Sequence, residues 1–384
     1  MAIPDAVRVD RARRSPELGP RIVFFSGGSA LKKLSRQLKL YTHNSVHLIT
    51  PFDSGGSSAE LRRAFGMPSV GDLRNRLLAL ADETVRGNPD VYRLFSYRLP
   101  RDDSDGGLRS RLDCMVSGDD ALVEAVSPPL RRLVRTQLGI VRERLPEGFD
   151  LRGASIGNLA LAGGYLHEHG DMESVLFLFS KLVGALGTVR LVTDADLQLV
   201  ARLEDGSQLV GQHLLTGKEV PPIASPIARM WAAHPDEPER EVRPAASEYV
   251  LRLIRKADLI VFPPGSFYTS VLANLLPAGV GRAIAEAPCP RVFVPNTFPD
   301  PEQLGVSSVD ALARLEAAIR ADGVELAGTA ISHVLLDDRV CPPRVHDEFR
   351  DREPEAVRLP LVGGEAPGPV DPERLAHALI TLAS

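Results

Sequence analysis

Three short loops rich in glycine and serine hold the residues of this chain best suited to chemistry. Ser26-Gly27-Gly28-Ser29 follows the apolar run IVFF at 22–25 and precedes a segment, 30–41, with leucines at 31, 34 and 38. Asp53-Ser54-Gly55-Gly56-Ser57-Ser58 follows the apolar run at 45–50, and Pro263-Pro264-Gly265-Ser266 follows the run at 258–262. Small residues between a strand and a helix let the backbone approach a phosphate, and the free N–H groups of a helix start favour negative charge. Neither GxxxxGK[ST] nor GxGxxG occurs, so a tight strand-to-helix turn is the plain alternative at the first loop. The second loop adds a carboxylate: Asp53 could hold Mg²⁺ or a ribose, and Gly55, Gly56 and Ser57 could ring a phosphate. The alternative there is an Asx turn that starts the next helix. In the third loop Ser266 has the ordinary reading of an N-cap, while Thr269 or Ser270 could touch an anion.

Other signals are weaker. Gly153-Ala154-Ser155-Ile156-Gly157-Asn158 opens an apolar helix at 159–166 and suits close backbone contact. Arg62, Arg63, Arg74 and Arg76 form a dense basic group from which one could reach a phosphate; Lys32, Lys33 and Arg36 read as a solvated helix face. His167-Glu168-His169 has i, i+2 spacing, unlike a helical zinc pair, and GxSxG is absent. The three cysteines, Cys114, Cys289 and Cys341, form no CxxC pair, which disfavours a zinc knuckle and fits a reduced cytosolic protein.

These loops need a frame to hold them. Apolar runs at 21–25, 45–50, 258–262, 291–295 and 332–336 alternate with helical patterns at 30–41, 59–65, 72–81 and 268–276. That order predicts an α/β, doubly wound, Rossmann-like parallel sheet. Ligands of such sheets sit at the carboxyl ends of the strands, where the three loops, Asn296 and Asp337 all fall. The three loops are therefore expected in one cleft. Residues 1–20 read as a polar tail and 21–340 as a nucleotide-binding core. Helical and small β insertions lie within 86–247, and 341–384 reads as a C-terminal extension with a terminal helix. Inside the insertions the sequence predicts a helix over 121–145, an apolar helix over 171–186, and short strands over 188–211 with a hairpin at Glu204-Asp205-Gly206. Residues 216–247 hold six prolines and little periodicity.

Composition excludes several classes. The chain has 384 residues, 44% hydrophobic and 25% charged, with a net charge of −5. An acidic balance disfavours nucleic-acid binding. No apolar run approaches the length of a membrane span, and the N-terminus lacks an apolar signal core, so a cytoplasmic protein is expected.

The ordered set of a glycine turn, DSGGSSAELRRAFGMPSVGDLRNRLLALAD (53–82), GASIGN (153–158), ADLIVFPPGSFYTSVLANLL (257–276) and VFVPN (292–296) resembles the CofD-like superfamily. That superfamily holds the 2-phospho-L-lactate transferases of deazaflavin cofactor synthesis and the gluconeogenesis-factor proteins that bind UDP-sugars. The likeness spans about residues 21–340. The stretch 55–81 is nearer the gluconeogenesis-factor pattern, and the nearest subgroup is the CofD-like proteins associated with kinase-like and ATP-grasp proteins.

The resemblance implies that Gly27, Gly28 and Ser29 lie near phosphate, and that Asp53 takes the catalytic or metal position with Gly55, Gly56 and Ser57 lining the same cleft. It also implies that Asn75, Asn158, Gly265, Ser266, Tyr268 and Asn296 line the nucleotide pocket; Tyr268 reads equally well as packing. Two departures stand out. Ser54 replaces the second of two paired aspartates, which weakens a Mg²⁺ site because hard cations want several anionic oxygens. Ala30 replaces a glycine of the first loop. The implied ligands are a nucleoside diphosphate or nucleotide sugar, Mg²⁺ and a small-molecule acceptor; a homodimer is left open. The implied function is a transferase that moves a phospho-acyl or related group from a nucleotide-activated donor to an acceptor hydroxyl. The alternative is a non-catalytic, UDP-sugar-binding metabolic regulator.

Overall fold

The strand Ile22–Ser26 (β1) is buried along its whole length, and its alternate side chains enter two different cores. Ile22 and Phe24 join Leu34, Leu38 and Leu379 on one face; Val23 and Phe25 join Phe262, Phe267 and Ile284 on the other. Burial on both faces is the mark of a parallel sheet covered by helices on each side. The computed structural model describes residues 2–27, 31–84, 86–217, 220–326, 328–340, 349 and 354–383.

The remaining strands are Val46–Ile49 (β2), Thr188–Leu191 (β3), Gln198–Leu203 (β4), Gln208–Val210 (β5), Ile227–Ala233 (β6), Leu259–Phe262 (β7), Arg291–Phe293 (β8), His333–Asp337 (β9) and Glu355–Leu359 (β10). Seven form one parallel sheet in the order β10-β9-β8-β7-β1-β2-β3. The chain leaves β1 toward β2 and β3 on one side and returns at β7 on the other. The point where strand order reverses therefore lies between β1 and β7, which places a ligand crevice at their carboxyl ends. β4, β5 and β6 form a separate antiparallel sheet whose hairpin turns at 204–206, as the sequence predicts.

Helices Gly56–Phe65 and Gly71–Leu80 follow β2 and bury Leu61, Leu73, Leu77 and Leu80 in a helical core that reaches to Leu191. Gly66, at φ 57°, stops the first of them in the left-handed conformation that only glycine adopts cheaply.

Several elements differ from the sequence reading. Residues 6–14 of the polar tail form a helix. Asp5 caps it, and Arg8 Nη1 donates to the Thr381 carbonyl at 3.0 Å. Its partner is the terminal helix Pro372–Leu382, hundreds of residues away, so no local pattern announces it. The helix expected over 121–145 is two, Ala121–Glu124 and Pro128–Arg144, because Pro128 can begin a helix but not continue one. β3 and β10 lie within segments read as insertion and extension, yet they form the two edges of the main sheet. After β7 the backbone makes a π turn, Phe267–Val271, and a 3₁₀ turn, Leu272–Leu275, in place of the expected α-helix.

Candidate functional site

Arg76 organises the first loop. It is fully buried, and its guanidinium donates to the Gly27 carbonyl at 2.6 Å and to the Ser35 hydroxyl. Burial lowers its pKa to about 10, with nearby Asp72 acting in the opposite sense, so it stays charged at neutral pH. Gly27 has no room for a side chain: a Cβ there would stand 2.2 Å from Ser270 Oγ, with Asp72 Oδ2 at 3.5 Å. The first loop thus meets the segment after β7 and the helix after β2 at one point. Gly28, Ser29 and Ala30 lie outside the described residues.

The second loop opens onto a cleft of about 880 Å³. Asp53, Gly55, Gly56, Ser57, Asn75 and Asn158, all expected from sequence, line it together. Asp53 Oδ1 accepts the Gly55 N–H at 3.1 Å, which is the Asx turn of the plain alternative. Its Oδ2 faces Gly71, where a Cβ would stand 3.2 Å away, so a glycine leaves the carboxylate room. Ser57 Oγ receives Asn158 Nδ2 at 3.3 Å and joins the second loop to the GASIGN turn. Ser155 caps the helix Ile156–His167, accepting the Asn158 N–H at 3.4 Å.

The four arginines separate into distinct roles. Arg62 is buried, donates to the Asp53 and Leu197 carbonyls and pairs with Asp196 at 2.6 Å, so it ties the loop down. Arg63 pairs with Glu60 at the surface, and Arg76 holds Gly27. Arg74, 6% exposed, lines the cleft itself, donating to the Ser155 hydroxyl and to Asn75 Oδ1 at 2.7 Å. Burial, and after it the charge of Arg98, lowers its pKa to about 10.

Sequence reasoning missed His213. Its Nδ1 lies 2.8 Å from Ser54 Oγ, which also accepts the His213 N–H at 3.1 Å. The residue in place of the second aspartate is therefore hydrogen-bonded to a histidine side chain and to that histidine's backbone. A separation of 159 residues hides the pair from any local motif.

The third loop, expected in the same cleft as the second, does not line it. Gly265 N–H donates to Asn296 Oδ1 at 2.7 Å, Phe267 N–H to Asp300 Oδ2 at 2.9 Å, and both Tyr268 and Thr269 N–H to Glu302 Oε2. The chain's own carboxylates occupy the donors a phosphate would use. Asn296 also donates to the Gly265 carbonyl and to Gln303 Oε1, so it shapes the loop. Gly265 and Asn296 line a smaller cavity of about 130 Å³. Ser266 precedes the π turn without a side-chain cap bond to its backbone. Tyr268 is 3% exposed, with its hydroxyl directed to the Ile227 carbonyl at 3.4 Å, so its ring packs rather than opens to a ligand.

Glu302 carries a pH prediction. Burial, then the charge of Asp300, pushes its carboxyl from 4.5 up to about 7, against the bonds it accepts from Thr269 and Ser266. The folded chain then holds this proton more tightly than the unfolded chain. The stabilisation is complete below about pH 4.5 and is lost as pH rises to about 7. Its size is at most about 3 kcal/mol. Urea unfolding of wild type should show this loss between pH 5 and 8, and Glu302→Gln should flatten it; parallel slopes in the two proteins would assign the pH dependence elsewhere.

Among the described residues no three His, Cys, Asp or Glu side chains gather into a metal-binding group. The donor set at the second loop offers one carboxylate, Asp53, with the hydrogen-bonded Ser54 and His213 beside it. It therefore fits Mg²⁺ only where substrate phosphates supply most of the ligands, the usual mode for that ion. Among the described residues no helix is long and apolar enough to cross a membrane.

This arrangement can be set beside known proteins. The chain is 30% identical to a putative gluconeogenesis factor of Nostoc sp. over 80% of its length, and spans about half of that relative, 54%. It is 29% identical to the gluconeogenesis factor of Bacillus subtilis, over 77% of this chain and 74% of that one. A crystal structure of a UPF0052-family protein from Bacillus halodurans superposes with a TM-score of 0.64 at 23% identity, covering 94% of this chain and 98% of the other, which shows a shared fold. The family model described as 2-phospho-L-lactate transferase CofD matches residues 22–364, nearly the whole sheet with its three loops, and the chain belongs to that family.

Proposed function

We propose that the protein binds a nucleotide-activated donor across the carboxyl ends of β1, β2 and β7. It would then transfer the donor's phospho-acyl or related group to the hydroxyl of a small-molecule acceptor. The observation that carries this reading is the position of Asp53 at a polar cleft of about 880 Å³ beyond the carboxyl end of β2. A cleft of that size has room for a donor and an acceptor side by side.

Group transfer of this kind rests on positioning and charge stabilisation more than on covalent chemistry. Gly27 supplies close backbone approach, and Asp53 supplies the negative charge at the cleft mouth. Mg²⁺ arriving with the donor would neutralise phosphate charge, with Asp53 as its protein ligand. A cytoplasmic setting suits such substrates. The second reading, a UDP-sugar-binding regulator, is favoured by Ser54: its pairing with His213 leaves the site one carboxylate short of the usual pair.

Thermal melts test the shared premise. UDP, GDP, ADP or a UDP-sugar at about 1 mM should raise the melting temperature, because a ligand that binds only the folded state stabilises it. No shift with any of the four would count against both readings.

A further inference from the structure

The cleft has an excess of positive charge that the fold does not use. Five arginines line it: Arg63, Arg74, Arg98, Arg101 and Arg152. Arg63 pairs with Glu60 and Arg152 with Asp150. Arg74, Arg98 and Arg101 form no ion pair with any described carboxylate; their polar contacts are serine, asparagine and backbone oxygens, or none. Of the arginines that brace the fold, Arg62, Arg142 and Arg255 pair with a carboxylate, while Arg131 and Arg135 donate to backbone carbonyls.

The charge of Arg98 disfavours that of Arg74 while nearby Asp72 favours it, so the positive groups on this wall repel one another with only part of that repulsion offset. The polar atoms between them are also incomplete. Arg74 Nε is buried without an acceptor, and Asn158 Oδ1 is buried without a donor. Ser57 Oγ accepts from Asn158 and from Arg98 at 3.5 Å, so its own proton remains to be donated. Gly153, at φ 68°, lets Arg101 lie against the loop, where a Cβ would stand 3.1 Å from Arg101 Nε.

We infer that Arg74, Arg98 and Arg101, with Ser57 and Asn158, form a receptor for a dianionic phosphate group on the second ligand of this cleft, separate from the diphosphate of the nucleotide. Guanidinium groups suit phosphate oxygens because they donate in pairs along fixed directions. Three of them against a single carboxylate would leave the wall positive, whereas a phosphate monoester, near −2 at neutral pH, balances most of the charge. A hydroxyl on the carbon chain beside the phosphate gives Asn158 Oδ1 its missing donor. The second ligand is therefore a small phosphorylated polyol or hydroxy acid. This deepens the transfer reading and rests on it only in calling that ligand a reactant.

Isothermal titration of the full chain with glycerol 3-phosphate, with glycerol as the uncharged control, tests the receptor. Wild type should bind glycerol 3-phosphate with a Kd below about 1 mM and glycerol not at all. Arg98→Ala/Arg101→Ala, two exposed positions, should weaken that binding at least about tenfold while the nucleotide-induced melting shift stays as in wild type. Arg74→Lys, which keeps the charge but not the fork, should also weaken it. No binding by wild type, an unaltered Kd in the double variant, or loss of the nucleotide shift in parallel would each overturn a separate phosphate receptor. Binding of glycerol 3-phosphate by a protein that shows no nucleotide shift would leave the receptor standing and remove the transfer reading.

Discussion

Arg76→Met lowers the unfolding free energy by about 3 kcal/mol and abolishes the nucleotide-induced melting shift, as an expected result of where this guanidinium sits. The side chain is fully buried and joins three elements, the end of β1 at Gly27, the helix Lys32–Leu38 at Ser35, and its own helix. Methionine fills a similar length with apolar atoms. It leaves the Gly27 carbonyl without this donor and Asp72 without this neighbouring charge, and an unsatisfied buried polar group costs about 1–3 kcal/mol. Loss of a buried charge's partner adds to that. The Gly27 loop has little slack, since Ser270 already crowds the position a Cβ would take. A displaced carbonyl therefore moves the backbone that a phosphate would approach. Arg76→Lys keeps the charge but not the two-way fork, and should lie between wild type and Met. Urea denaturation with and without UDP measures both effects. A loss under about 1 kcal/mol would mean that water replaces the guanidinium, and the bracing role would be wrong.

The sequence displays the central strands because each is a short β-branched run that ends at glycine, proline or asparagine, and those breaks are where the fold turns toward the ligand edge. β1, β2, β7 and β8 follow that rule, and β9 ends instead at Asp337-Asp338. The edge strands do not: β3, TVRL, reads as a strand of the insertion until its pairing with β2 places it in the main sheet, and only pairing with β9 makes EAVRL the strand β10. At the site, motif resemblance picks out residues without saying what they touch. Asn296 is a case in point, since its amide is committed to the loop backbone and not to open space. Arg74 stands among four arginines that look alike in sequence. Their burial and partners alone separate the buried one in the cleft, Arg74, from the two that brace loops and from Arg63, exposed and paired with Glu60. Arg98, Arg101 and His213 belong to segments with no motif, because their meeting point is set by helix packing and by the β4–β5 hairpin region rather than by spacing.

Asp53→Asn separates the readings of function with the largest expected change in activity. Asp53 is the only carboxylate of the second loop, and the neighbouring position that usually doubles it is occupied by Ser54, engaged with His213. Asparagine keeps the size of the side chain and keeps an oxygen to accept the Gly55 N–H, so the Asx turn survives. The Arg62 bond goes to the Asp53 backbone carbonyl and is untouched. What disappears is the negative charge beside Gly71. A transferase should then lose turnover by at least about a hundredfold, the scale seen when one electrostatic contributor to a transition state is removed. It should keep most of its nucleotide affinity in the absence of Mg²⁺, because the backbone groups at the strand ends are unchanged. A regulator should show a modest change in nucleotide affinity and no turnover to lose. If the carboxylate serves only the turn, the variant loses at most about 1 kcal/mol of stability and nothing else. Turnover, affinity and melting temperature measured on one preparation distinguish the three outcomes. Wild-type turnover with wild-type affinity would place the working carboxylate outside the second loop, with Asp72 of the helix Gly71–Leu80, close to Gly27, the next residue to replace.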